Sequence, residues 1–289
     1  MKSSTHTFAF ALSLLGALVF GPTMSLAAGT DNTQTEHSAV PISASVKKGS
    51  KQGKPPPRKV SEAQFDFVRS NLVATLYHEF GHALIDELDL PVLGQEEDAA
   101  DVLSAVMLER FFIGPALDRI ALNTALGFEA DARDQELEGD DWAWSDVHGP
   151  DWQRYYNFVC LYYGADPENR EDFANDMGLP RDRMESCVDE QDLASRSWGL
   201  ALDRITANAP GSSIGFSSRT RTERQKKAAR IVAEEVARLN KSYVLPKKLR
   251  VVVKHCGEDS SLSAFYTSGR VKITVCTEYI DQLYHQAPK

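Results

Sequence analysis

Residues 78–82 read His78-Glu79-Phe80-Gly81-His82, and fifteen residues past His82 the chain reads Glu97-Asp98-Ala99-Ala100-Asp101. On a helix, residues four apart share a face with Cβ atoms roughly 5–6 Å apart, so His78 and His82 can each bring a ring nitrogen to about 2.1 Å from one zinc ion. Glu79 is turned by about 100° and borders the ion without binding it, the place for a general base that takes a proton from water. The segment reads as a true helix. Ser61-Glu62-Ala63-Gln64 forms a capping box, Phe65, Val68, Leu72, Thr75, Leu76 and Ala83 follow at helical spacing, and the pattern ends near Leu88, before Pro91 and Gly94.

The third ligand comes from further along. Six residues past His82, where a metzincin carries its third histidine, stands Leu88. Gln95 to Phe112 reads instead as a second helix, with Ala99, Ala100, Leu103, Val106, Met107 and Phe111 on one face and Gly114-Pro115 after it. The short link Asp89 to Gly94 suits an antiparallel pair. With axes roughly 8–10 Å apart, a glutamate near the start of the second helix reaches the histidines. Glu96, Glu97 and Asp98 are consecutive and point about 100° apart, so one of them can face the metal. Glu97 is the choice, because Asp101 then stands one turn on and can accept the second ring N–H of His78; Glu96 is the runner-up. The expected set is His78, His82 and Glu97 on one zinc ion per chain, Asp101 behind His78, and Glu79 as catalytic base.

The chain begins with Lys2 and an apolar run from Phe8 to Phe20, followed by Ser25-Leu26-Ala27-Ala28. Residues 1–28 read as a secretory signal peptide, and the run is too short to span a bilayer as a mature helix. A periplasmic or secreted protein is implied, with no transmembrane segment in the mature chain. Loss of the signal peptide removes one charge, Lys2, and takes the formal net charge from −9 to −10, which argues against a nucleic-acid partner. Residues 29–60 carry Pro55-Pro56-Pro57 and, among other basic residues, Lys47, Lys48, Lys51 and Lys54, and read as a disordered polar linker. Residues 61–289 are enough for a single well-buried domain. Cys160, Cys187, Cys256 and Cys276 all lie in it. In an oxidising compartment they suggest two disulfides, of which the local pairings, Cys160–Cys187 and Cys256–Cys276, are favoured.

Further elements follow. Pro115 to Leu126 reads as a helix ending at Gly127, and Glu129 to Asp141 as an acidic loop. Pro150 opens a helix running to Gly164, Pro180 opens another, and Thr222 to Asn240 is a charged amphipathic one. Leu249 to His255, Ala264 to Thr267 and Val271 to Cys276 have strand character. The expected architecture is α+β and mostly helical: a zincin-like domain with the His78–His82 helix, an antiparallel helix bearing Glu97, and a small β-element from the C-terminal segment 249–278. A hydrolytic site also needs a donor for the oxyanion of the tetrahedral intermediate. His148, Arg154 and Tyr155 are the candidates; for His148 the alternative is a loop histidine stacked on Trp142 or Trp144. His255, beside Cys256 in a strand, reads as structural.

With these residues laid out, the chain resembles an uncharacterised bacterial metallopeptidase family that carries a domain-of-unknown-function label. The resemblance runs through Leu76 to Asp86, Leu90-Pro91-Val92-Leu93-Gly94 and Glu96 to Asp101. It continues in Asp151-Trp152-Gln153-Arg154-Tyr155-Tyr156-Asn157, Cys160 to Pro167, Arg183, Cys187 and Trp198. The Glu97/Asp101 element is also similar to that of the wider gluzincin class, where the glutamate is the third zinc ligand. In family members a Cys-Gly-Glu, Ala-Phe-Tyr and Cys-x-Glu segment precedes the HExxH helix. Here the similar residues, Cys256-Gly257-Glu258, Ala264-Phe265-Tyr266 and Cys276-Thr277-Glu278, stand at the C-terminus, as in a circular permutation. If so, the displaced strands should pack near Leu72 to Leu76. The expected function is zinc-dependent hydrolysis of a peptide or protein substrate. Two alternatives are an exported metal-binding or envelope-interaction protein without turnover and a zinc hydrolase of a non-peptide amide. Substrate and oligomeric state are not readable.

Overall fold

Helix α1 (Glu62–Leu88) starts where Ser61 accepts from the Gln64 N–H and Gln64 answers with its side chain to the Ser61 N–H, the reciprocal cap of the sequence signature. It stops at Asp89, whose φ of 49° is left-handed, a conformation that aspartate tolerates better than most residues. The computed structural model describes residues 60–138, 147–257 and 263–288, all within the compact unit Pro57–Lys289. The proposed signal peptide, the linker before Val60 and the tryptophans Trp142 and Trp144 lie outside the described residues.

Among these, the helices are α1, α2 (Glu96–Phe111), α3 (Gly114–Glu138), α4 (Asp151–Ala165), α5 (Pro167–Asp176), α6 (Arg181–Asp203), α7 (Glu223–Ser242) and α8 (Thr277–Gln286). Strands β1 (Ile214–Ser218), β2 (Leu249–Lys254), β3 (Ala264–Thr267) and β4 (Lys272–Cys276) form one sheet in the order β1-β2-β4-β3. The first three in that order run parallel, and β3 pairs antiparallel to β4 at the edge. The protein is therefore mostly helical α+β. No described helix is long and apolar enough to cross a membrane.

Helix α1 is the hub. Along it Phe67, Val68, Leu72, Leu76, Tyr77, Phe80 and Leu84 are all buried. Gly81 lets α2 come close: a Cβ there would lie 3.0 Å from Ala100 Cα. A second close approach explains a departure from the sequence expectation. Helix α3 does not end at Gly127 but runs to Glu138, through the stretch expected to be an acidic loop. Gly127 is a packing position, since a Cβ there would meet Asn71 Oδ1 at 1.9 Å. Asn71 needs that room to donate to both Phe67 O and Asn123 O, tying α1 to α3.

The C-terminal segment also returns to α1. Thr75 Oγ1 and Tyr279 OH are 2.7 Å apart, and Tyr266 OH donates to Asp86 Oδ2 at 2.7 Å. So α8 meets the Leu72–Leu76 region through Tyr279, and β3 reaches Asp86, further along α1, through Tyr266. Elements α5, α8 and β1 are additional to those expected. Disulfides join Cys160 to Cys187 and Cys256 to Cys276, the second inside the C-terminal segment. By loop-closure entropy each stabilises by roughly 3 kcal/mol. His255 pairs with Glu278, whose carboxylate also accepts from the backbone N–H groups of Cys256 and Gly257.

Candidate metal centre

Three side-chain atoms converge where α1 faces α2. His78 Nε2 lies 3.1 Å from His82 Nε2, and Glu97 Oε2 lies 3.1 Å from the first and 3.2 Å from the second. Atoms held at about 2.0–2.1 Å from one tetrahedral ion stand roughly 3.4 Å apart, so this near-equilateral triangle matches one face of such a site. Glu97 Oε2 is buried and accepts no hydrogen bond of acceptable geometry. The nitrogens stand near it without being aimed at it, as ligands sharing an ion do. The donor set of two imidazoles and one carboxylate suits a divalent metal of the zinc type.

The far sides of both rings are fixed. Asp101 Oδ1 is 2.7 Å from His78 Nδ1, and Glu96 Oε1 is 2.8 Å from His82 Nδ1. A carboxylate on Nδ1 holds the proton there and leaves the Nε2 lone pair for a metal. Glu97 thus faces the triangle and its neighbour Glu96 orients His82, as the 100° offset between successive residues requires. Asp101 is itself held by Arg154, whose Nε and Nη2 donate to its two oxygens at 2.8 and 3.0 Å. Arg154 also reaches Asp151 at 3.3 Å. It is therefore a support of Asp101 and not an oxyanion donor. Tyr155 is not one either, since its hydroxyl donates to Met177 O. The supporting roles of Glu96 and Arg154 escaped the sequence. The unpartnered Nδ1 of His82 was a signal for the first; nothing local marks the second.

His148, just before α4, is brought to the centre. Its Nε2 is 2.9 Å from Glu97 Oε2, and its ring stacks on that of His78 with centroids 6.3 Å apart. His78, Glu97 and His148 offer ligand atoms within 4.8 Å of one another, so His148 could serve as a fourth ligand or stand over the open position. Cys256, Cys276 and Glu278 form another such group, but its sulfurs are joined as a disulfide.

The electrostatics favour a cation. Burial alone would push the His78 imidazolium down, but Asp101 and Glu97 outweigh it and raise the group to about 9. His82 is raised against its burial by Glu97 and Glu96. Burial would raise Glu97, yet the close imidazoles of His148, His78 and His82 hold it well below the usual carboxylate range. Glu79 is only 5% exposed. Burial raises its carboxyl, the neighbouring histidines pull it back, and the Tyr266 backbone N–H favours its charged form. A carboxylate raised toward neutrality is poised to accept a proton and pass it on. Beside these groups runs a cleft of about 660 Å³ that also touches Ala264, Phe265 and Tyr266 of β3.

An HExxH helix against an antiparallel helix bearing a glutamate, with a small sheet alongside, defines a zincin-like α+β protein. The chain belongs to the DUF4344 family, described as "Putative metallopeptidase", whose model matches residues 36–202. The match includes α1 and α2 entire and ends before the C-terminal sheet. No curated protein and no solved structure matches the chain.

Proposed function

We propose that the protein hydrolyses peptide bonds, with zinc held by His78, His82 and Glu97 and with Glu79 as general base. The observation that carries this is the triangle of Nε2, Nε2 and Oε2 atoms with a buried carboxylate one residue from the first histidine. Bound zinc supplies a Lewis acid that polarises a carbonyl and makes water acidic at neutral pH. Glu79 takes the proton from the attacking water and returns it to the leaving amine. Asp101 and Glu96 keep both imidazoles in the metal-facing tautomer. His148, on the open side, donates from Nε2 to the developing oxyanion, an interaction of the kind that contributes about 10²–10³ in rate. Strand β3 is the sheet edge, unpaired on one side among the described residues, and three of its residues line the cleft. An extended substrate can add to that edge as a further strand. Two disulfides fit an oxidising compartment, in keeping with export by residues 1–28.

Glu79→Gln separates catalysis from binding. It should retain one zinc per chain and lose cleavage of a mixed peptide library, read by mass spectrometry. Cleavage at the wild-type rate would remove Glu79 from the mechanism, and an inactive wild type with full zinc would favour a metal-binding protein without turnover.

A further inference from the structure

One face of the sheet is turned away from the core, and it collects cations. Along β2, Leu249, Val251 and Val253 are buried, while Arg250, Val252 and Lys254 alternate to the outer side. Lys272 of β4 is the register partner of Arg250, so it stands on that outer side too, with the two Cα atoms about 4.8 Å apart. Lys248 lies over β1. Its Cε is 4.0 Å from where a Cβ on Gly215 would be, and Gly215 is the β1 partner of Arg250. Arg270, in the turn before β4, accepts from the Arg250 guanidinium through its carbonyl at 3.2 Å. The chain carries 41 acidic residues against 32 basic ones, yet none of these five cations has a carboxylate within ion-pair distance among the described residues. Like charges side by side on neighbouring strands destabilise a sheet. Burial foremost, then Lys254, Arg270 and Arg250, lowers the Lys272 ammonium. The fold thus holds a repulsion that an external anion would relieve. Phe265 of β3, the partner of Thr274, faces the same side and is 38% exposed.

We propose that the outer face of the sheet docks the protein on a bilayer surface bearing anionic phospholipid headgroups, with the five cations against the phosphates and Phe265 entering the interface. The proposal stands apart from the peptidase reading. The charge is spread across β1, β2 and β4 and is not gathered round one point, which suits a laterally uniform anionic surface better than a partner with one matching carboxylate. Each basic residue near such a surface strengthens binding by about fivefold, and an apolar ring beside cations adds buried area at the headgroup boundary. Phe265 also lines the metal cleft, so docking by this face brings the cleft mouth to the headgroups.

The test is sedimentation of the mature protein with vesicles of phosphatidylcholine, alone or with about one-third phosphatidylglycerol. A net charge of −9 predicts repulsion from the anionic vesicles unless a basic face is oriented toward them. The wild type should sediment with the phosphatidylglycerol vesicles only, and less as added salt screens the attraction. A variant with Arg250→Gln and Lys272→Gln should bind about 25-fold more weakly, fivefold for each charge removed. It should unfold at the wild-type temperature or above, because a repulsion is gone. Arg250→Lys with Lys272→Arg keeps both charges and should bind as the wild type does. The same 25-fold loss should appear when Lys47, Lys48, Lys51 and Lys54 are all replaced by glutamine, which removes the basic stretch before the domain as its cause. In the wild type, bound vesicles should protect Lys248 and Lys272 from a water-soluble acetylating reagent, a readout that needs no variant to fold. Absence of binding, equal binding to both vesicles, unprotected lysines, or binding that the two glutamines leave unchanged overturns the proposal. Capture of the wild type by poly-glutamate without binding to vesicles also overturns it and makes the face a site for an acidic protein.

Discussion

Gly81→Ala tests how the fold sets the metal triangle. The added methyl would meet Ala100 Cα at 3.0 Å and Ala100 Cβ at 3.2 Å, against about 3.5–4.0 Å for carbon atoms at rest. Neither neighbour is the end of a flexible side chain, so relief requires α2 to move from α1 by about 0.5 Å. Alanine gains about 1 kcal/mol of helix propensity over glycine, and overpacking costs about 1–3 kcal/mol. The net loss of stability is then about 0–2 kcal/mol. The site should suffer more than the fold. Ala100 lies between Glu97 and Asp101, so the shift carries both acids away from His78 and His82. Metal sites tolerate about 0.2 Å in ligand distance. Zinc affinity should fall by about 10–100-fold, the range seen when supporting contacts are disturbed. Competition for zinc against a chromogenic chelator measures this, with thermal unfolding of the metal-free protein in parallel. Gly94→Ala is the control, because a methyl there meets nothing within 4 Å. Wild-type zinc affinity in Gly81→Ala would refute the claim that the Gly81–Ala100 contact fixes the triangle.

Asp101→Asn should weaken zinc by about 10–100-fold and, by removing the charged partner of the partly buried Arg154, destabilise by about 1–3 kcal/mol; loss of neither would show that Asp101 supports nothing. Asp131→Asn should do the reverse to stability. The folded carboxyl is raised from 3.8 to about 6, so the native state binds its proton more tightly than the unfolded chain. Wild-type stability should therefore fall as pH rises from about 4 to 6 and then level off. The full shift corresponds to a ceiling of about 3 kcal/mol, and partial solvent contact reduces it to about 1–2 kcal/mol. Denaturant midpoints at pH 4 and pH 7.5 check this: the variant should exceed the wild type only at the higher pH, and equal midpoints there would contradict a costly, partly buried charge.

Much of the frame was legible because its signals are local. The Ser61 cap, the four-residue spacing of His78 and His82, and the short link to α2 depend on neighbours in sequence. The preference for Glu97 over Glu96 followed from one side-chain direction relative to Asp101; Glu97 Oε2 lies beside both histidine Nε2 atoms, and Glu96 Oε1 beside His82 Nδ1. What escaped depends on distant partners. Gly127 looked like a helix end because a glycine inside a helix is unfavourable alone, and only the approach of Asn71, more than fifty residues earlier, explains it. Arg154 offered itself as an oxyanion donor by charge alone, and its capture by Asp101 depends on how α4 meets α2. Strand β1 pairs parallel to β2 across α7, and the sheet shows no hairpin signal for it. His148 was brought into contact with Glu97 by a turn whose course the aromatic residues around it did not reveal.

The central claim is that one zinc ion is held by His78, His82 and Glu97. Anomalous diffraction recorded on both sides of the zinc absorption edge, from crystals of the protein purified with zinc, tests it most directly. A single strong peak should lie about 2.0–2.1 Å from His78 Nε2, His82 Nε2 and a Glu97 carboxylate oxygen. A zinc peak elsewhere in the chain, or none at this triangle under saturating zinc, would contradict the account.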